Sequence, residues 1–382
     1  MILMKFRRTA ALATAALALP LTLAACGTGQ EAAADGRLQV ITSFYPLQFV
    51  AQSVAGDLAD VDNLTPPAAD PHDLELSPAR ARVISSADVV VTLGGFQPAV
   101  DDAIAAREPE NLVDAADIVT LLSASVTGGH DCSSHGDTAT EDAHAHDHAT
   151  DDATADADAT ADATAHDDEE CDEDHAHDTD AAATDAADAD AAGTDADSGH
   201  GHSHGMAGYD PHFWLDPTKL AELAHPVADA LSAADPANAE TFSANADALV
   251  ERLHALDEEF AAALAPFAGA TLITNHTAFG YLAQRYGLRQ VGVTGLDHDI
   301  EPSPARMREI GEIARQHGVT TLFYENLVSP RVIQTLASDL GIHATVLDTL
   351  EGLTQAKVDA GEDYVTIMQR NLITLTEGLT AP

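Results

Sequence analysis

Between His130 and His204 the chain carries 24 Asp or Glu, 11 His and no Lys or Arg in 75 residues. Around this run, from 123 to 208, apolar periodicity is lost, and Ala, Asp, Thr and His alternate almost without bulky aliphatics. Such a stretch cannot bury enough surface to offset chain entropy and is expected to be one long disordered insertion. Its length argues against a passive connection. Any fold must therefore be assembled from the two flanks, and 382 residues leave room for two or three ordinary domains. The net charge of −46 excludes nucleic acid as a partner, because phosphate would be repelled at every approach. Three cysteines are too few to staple a fold, so the flanks must stand on apolar cores.

The N-terminus reads as a processing signal. Lys5, Arg7 and Arg8 precede an apolar stretch of about 15 residues, too short to span a bilayer comfortably. It ends in Leu23-Ala24-Ala25-Cys26, which resembles the bacterial lipoprotein cleavage box. Residues 1–25 are then a signal peptide, Cys26 the lipidated residue and 26–36 a polar tether; the alternative is ordinary secretory cleavage after Ala25. Lipidation would make the protein extracytoplasmic, held to the membrane through its lipid anchor alone.

From Arg37 onward, short apolar strands alternate with helices. Leu38-Gln39-Val40-Ile41-Thr42-Ser43 and Asp88-Val89-Val90-Val91-Thr92-Leu93 read as buried strands, and 46–55 and 78–86 as helices. After the insertion come a helix over 217–232 and an unusually long one over 236–266, with Pro at its start. A second alternating half follows, with strands expected at 271–275, 289–294, 320–324 and 343–347. Short β and α segments in turn predict parallel sheets with helices on both faces. The expected class is α/β, with two lobes, each a mainly parallel sheet flanked by helices, joined by one long rigid helix. The lobes are placed at 37–122 with 209–235, and at 267–382.

Ligands of such sheets sit at the carboxyl ends of strands. Four side chains fall there: His72 in Asp70-Pro71-His72-Asp73, His212 in Asp210-Pro211-His212-Phe213-Trp214-Leu215-Asp216-Pro217, His276 directly after its strand, and Asp348 directly after the last. Each alone reads more readily as a solvated, turn or capping residue than as a ligand. Together, two from each half can meet in a cleft between the lobes.

The strings Pro71-His72-Asp73-Leu74-Glu75, Asp210 to Pro217, and Asn275-His276-Thr277-Ala278-Phe279-Gly280-Tyr281-Leu282 resemble the metal-ligand motifs of the zinc-binding lipoproteins of bacterial ABC uptake systems. Glu301-Pro302-Ser303-Pro304 and Tyr324-Glu325-Asn326 are similar to that family's C-terminal lobe. The resemblance spans about 37–380 apart from the insertion. It implies a metal in the cleft, carried over by motif to His72, His212, His276 and Asp348, and delivery by a monomer to an ABC permease and its ATPase. Some members place a carboxylate just before the first histidine; here Pro71 stands there, which makes Asp348 the expected fourth group.

Three imidazoles and one carboxylate suit tetrahedral Zn²⁺ at about 2.0–2.2 Å per bond. Manganese prefers more carboxylate oxygens, and copper would bind such a set at least as tightly in vitro. Affinity is expected to fall as pH drops through about 6.5. Within the insertion, His144, His146 and His148, His175 and His177, and His200, His202 and His204 form clusters expected to bind Zn²⁺ weakly in several copies. The resemblance adds that zinc members often carry a His- and acid-rich loop here. Cys132 and Cys171 can pair as a disulfide or serve as soft ligands. Glu325 is expected to brace a ligand histidine, Trp214 to pack beneath His212, and His298 to stay solvated. An enzyme is not expected: a secreted zinc hydrolase needs an open coordination position, and the chain holds no His-Glu-x-x-His pair or nucleophile elbow. A manganese-binding homologue, a metal buffer and an adhesin lipoprotein remain as alternatives.

Overall fold

A computed structural model describes residues 36–124, 208–296, 301–327 and 329–382. The signal segment, Cys26, the insertion histidines, Cys132, Cys171 and His298 lie outside the described residues.

The first half begins β1 (Leu38–Thr42), α1 (Tyr45–Ala55), β2 (Ala59–Asn63), α2 (Pro78–Val83) and β3 (Val89–Thr92). It continues with α3 (Pro98–Arg107), β4 (Leu112–Asp114) and α4 (Ala115–Ile118). Past the insertion it closes with α5 (Pro217–Ala221) and α6 (Ala224–Ala234). All pairings are parallel, in the order β2-β1-β3-β4. The expected single helix over 217–232 is in fact two. Pro226 lacks the N–H that a helix interior needs, and a fresh start at Ala224 puts it in a first turn where that N–H is not missed.

The second half contains β5 (Thr271–Thr274), α8 (Gly280–Tyr286), β6 (Arg289–Gly292), α9 (Pro304–Gln316) and β7 (Thr321–Tyr324). α10 (Arg331–Leu340), β8 (His343–Val346), α11 (Gln355–Asp359) and α12 (Tyr364–Gly378) complete it. Its sheet repeats the first, parallel throughout in the order β6-β5-β7-β8. Every residue of β3 and of β5 is buried, as a parallel strand covered on both faces requires. Helix starts are written locally: Ser77 and Ser303 cap α2 and α9 ahead of a proline, and Asp363 forms a capping box with Thr366 at α12.

The long helix α7 (Ala239–Leu264) carries a 3-10 turn at each end, 236–238 and 265–267, and spans about 39 Å over its α-helical part. Phe242, Ala246, Leu249, Leu253, Leu256, Phe260 and Leu264 form one buried stripe along it. Each large member contributes about 1.5–3 kcal/mol by leaving water. The stripe belongs to an apolar core that includes Val40 and Val91 of the first sheet and Leu272 and Phe323 of the second. Separate small cores fill the outer faces, around Ile41 and Val90 in the first half and Ile273 and Leu322 in the second. The two sheets are thus joined through the helix and a shared core.

Candidate metal centre

In both sheets the chain leaves the first strand towards one edge and returns on the other side, so a crevice opens at the carboxyl ends of β1/β3 and of β5/β7. His276 follows β5 after Asn275, and Glu325 follows β7 directly. The two meet: Glu325 Oε1 contacts His276 Nδ1 and also accepts from Asn275 Nδ2. The Glu325 backbone N–H donates to Asn275 Oδ1 at 3.2 Å, tying the two strand ends together.

His72 sits in the loop after β2. Asp70 Oδ1 accepts its backbone N–H at 2.9 Å, the Pro71 carbonyl accepts from Gln97 Nε2 at 3.2 Å, and its ring stands edge-on to Phe96 at 4.8 Å. His212 sits in a second turn of the same kind, where Asp210 Oδ1 accepts the backbone N–H at 2.9 Å and lies 2.7 Å from Nδ1. Trp214, from the 3-10 turn that follows, lies 5.3 Å from the His212 ring and donates its indole N–H to the Thr349 carbonyl at 2.7 Å.

The three rings converge on one carboxylate, but it belongs to Glu351. Its Oε1 lies 3.1 Å from His212 Nε2, 3.7 Å from His72 Nε2 and 3.9 Å from His276 Nε2, and the His212 and His276 Nε2 atoms are 3.4 Å apart. Donors on a tetrahedral ion at about 2.0–2.1 Å lie roughly 3.3 Å from one another, so this spacing suits a zinc-sized cation. Two further features fit one. Carboxylates at Nδ1 of His212 and His276 fix the tautomer that turns the Nε2 lone pair inward. Glu351 Oε2 is buried and accepts no hydrogen bond among the described residues.

The expectation that Asp348 supplies the carboxylate does not hold. Asp348 pairs with Lys357, its Oδ1 accepts the Leu350 N–H at 2.9 Å, and its backbone exchanges hydrogen bonds with Asn371. These bonds turn it away from the rings. Leu350, buried with φ 55, bends the chain left-handed and presents Glu351 instead. The His72 loop meets this bend. Ala68 N–H donates to the Leu353 carbonyl at 2.8 Å, and a Cβ on Gly352 would lie 3.3 Å from the Ala69 carbonyl oxygen, so glycine permits the approach.

Burial by itself would lower the His212 pKa, but the charge and hydrogen bond of Asp210, reinforced by Glu351, raise it to about 10. Burial would likewise raise Glu351, yet hydrogen bonds and charge from His212 and His72 hold it well below the usual carboxylate range. The centre is therefore a compact, buried set of imidazoles and anions whose chemistry suits a cation.

The profile of the zinc-uptake complex component A, periplasmic family matches residues 40–378. The chain belongs to this family. The high-affinity zinc uptake system protein ZnuA of Bacillus subtilis is 30% identical over 367 residues, covering 94% of both chains. The zinc-binding lipoprotein AdcA of Streptococcus pneumoniae is 30% identical over 361 residues, 94% of this chain. The chain spans about 57% of the length of the streptococcal AdcA proteins it matches. Among solved structures, the Zn(II)-bound ZnuA-like domain of Streptococcus pneumoniae AdcA superposes with a TM-score of 0.61 at 26% identity, covering 90% of this chain and 99% of that one. These relatives are named as zinc-binding and zinc-uptake proteins. No described helix is long and apolar enough to cross a membrane.

Proposed function

We propose that the chain is an extracytoplasmic zinc receptor. It captures Zn²⁺ on Nε2 of His72, His212 and His276 and on the Glu351 carboxylate, and delivers it to an ABC import permease driven by its ATPase. The observation that carries this reading is the three ring nitrogens 3.1–3.9 Å from one buried carboxylate oxygen. Three neutral nitrogens and one anionic oxygen favour zinc over manganese, whose preference is for more oxygens. The zinc-binding relatives support the same ion. Lipidation at Cys26 would hold a monomeric receptor at the membrane, and the insertion histidines would raise the local concentration of Zn²⁺ without forming the tight site.

The test is a deletion of residues 125–207. Ala124 N–H donates to the Gly208 carbonyl at 2.8 Å, so a short turn can close the gap. Competition against a chromophoric chelator should give one tight zinc site per chain, and fewer weak ions than in the full chain. Loss of the tight site on deletion would overturn the assignment.

A further inference from the structure

Tyr281 of α8 lies five residues past His276, is buried, and uses its hydroxyl twice. The oxygen accepts the Leu122 backbone N–H at 2.7 Å, and the proton is donated to the Asp210 carbonyl at 2.9 Å. Only a neutral phenol can do both, and burial pushes its pKa further above the ordinary value.

Leu122 and Asp210 face each other across the short stem from which residues 125–207 depart. Asp210 N–H donates to the Leu122 carbonyl at 2.8 Å, Ala124 N–H donates to the Gly208 carbonyl at 2.8 Å, and Ser123 and Tyr209 pair antiparallel. The hydroxyl therefore grips both strands of the stem at the end nearest the metal centre. Asp210 is also the residue whose carboxylate holds both the backbone and the Nδ1 of His212.

We infer that Tyr281 is a positioning residue for the metal centre: it clamps the stem so that Asp210 presents His212 Nε2 towards Glu351. One short segment of the second half thus supplies His276 as a donor and fixes a second donor, His212, that belongs to the first half. This inference rests on the zinc reading of the centre.

The experiment compares Tyr281→Phe with Tyr286→Phe in the full chain. Tyr286, on the same helix, is also buried and donates a single hydroxyl bond, to Asp257 Oδ1 at 3.0 Å, so its variant loses a similar bond away from His212. Tyr281→Phe should weaken zinc binding about tenfold and shift the ligand-field bands of the Co²⁺-loaded protein, while Tyr286→Phe leaves both as in the unaltered chain. A metal-independent reading is the NMR signal of the His212 Nδ1 proton in the metal-free protein, which should move in Tyr281→Phe alone. An unchanged affinity with an unchanged His212 signal, or an equal loss in both variants, would overturn the clamp. If the unaltered chain bound no zinc, the proposed function would fail, and the His212 signal would still decide the clamp. If Tyr281→Phe did not fold, amide exchange in the unaltered chain decides: Leu122 should exchange more slowly than Ala124, and the reverse order refutes the clamp.

Discussion

The chain contains the turn Asp-Pro-His twice, at Asp70-Pro71-His72 and at Asp210-Pro211-His212, and in each the aspartate accepts the histidine's backbone N–H at 2.9 Å. The settings differ. The His72 side chain keeps 21% of its surface exposed against the edge of Phe96, whereas His212 is sealed, with Asp210 at Nδ1, Trp214 beside the ring and Tyr281 holding the Asp210 carbonyl. The turn fixes the direction of the side chain in both places. Tertiary packing decides how much the protein gains from it, because a dry setting strengthens each electrostatic contact and lets water replace nothing that is lost. One turn is built as a fixed anchor and the other as an accessible arm.

The largest expected effect removes what the two turns share. Glu351→Ala should weaken zinc binding by more than about 100-fold, beyond the range for groups that only support a ligand. His212→Ala should match it, and His72→Ala should cost less, since solvent can reach its vacated position. Asp348→Ala should leave affinity near that of the unaltered chain while lowering the melting temperature, because Lys357 loses its partner. Competition titrations and melting curves on the four variants check this ranking. If Asp348→Ala lost zinc and Glu351→Ala kept it, the ligand set would be wrong.

The second effect separates the turns through their aspartates. Asp210→Asn keeps an oxygen for the backbone N–H but loses the charge at Nδ1, and should cost about 10- to 100-fold in affinity. Asp70→Asn, half-buried next to the more exposed ring, should cost a few-fold at most, since a charge that solvent reaches is better screened than a sealed one. Equal losses would mean that burial does not distinguish the two sites.

How far the centre can be read from sequence follows the same division between local and tertiary causes. The Asp-Pro-His turns and the strand-then-histidine pattern at His276 are local and visible, as are the capped helices and the long α7. Glu351 was not visible. The strand-end rule selects the residue directly after the strand expected at 343–347, which is Asp348, and nothing in the local pattern signals a left-handed bend at a leucine, a residue that rarely adopts one. Lys357, nine residues on, is the one hint that Asp348 has another partner. The strand β4 also escaped, since three residues with only Val113 buried are too short to show alternation.

The third effect is a pH dependence. The His212 pKa of about 10 stands above the ordinary value of about 6.5. Its protonated ring therefore stabilises the metal-free fold in full below about pH 6.5, and this contribution is lost as pH rises through about 10. Zinc at Nε2 has to displace that proton. Affinity should then keep rising with pH through this window rather than level off just above 6.5, and binding at pH 7.5 should release about one proton. Calorimetry in buffers of different ionisation enthalpy counts the proton. His212→Asn should abolish the release if His212 is its source, and a release that survives this change would assign it elsewhere.

The smallest effect concerns the accessible arm. Ala68, exposed in the His72 loop, holds φ 63 while its N–H bonds to the Leu353 carbonyl. A left-handed non-glycine residue costs of order 1 kcal/mol and persists only when its surroundings enforce it. The Leu353 bond and the close approach of Gly352 to the Ala69 carbonyl are those surroundings. Ala68→Gly relieves the strain but also frees the unfolded chain and loosens the loop, two effects of similar size and opposite sign. The metal-free melting temperature should therefore move by no more than a few degrees, while zinc dissociates a few-fold faster, because the looser loop lets His72 leave first. The same glycine placed at exposed Ala105 inside α3, a position with no left-handed backbone to relieve, should lower the melting temperature and leave the dissociation rate unchanged. Stopped-flow release into a chelator reads the rate. An unchanged rate in Ala68→Gly would show that the bond between the two loops does not hold the arm, and would leave the exposure of His72 as the whole difference between the turns.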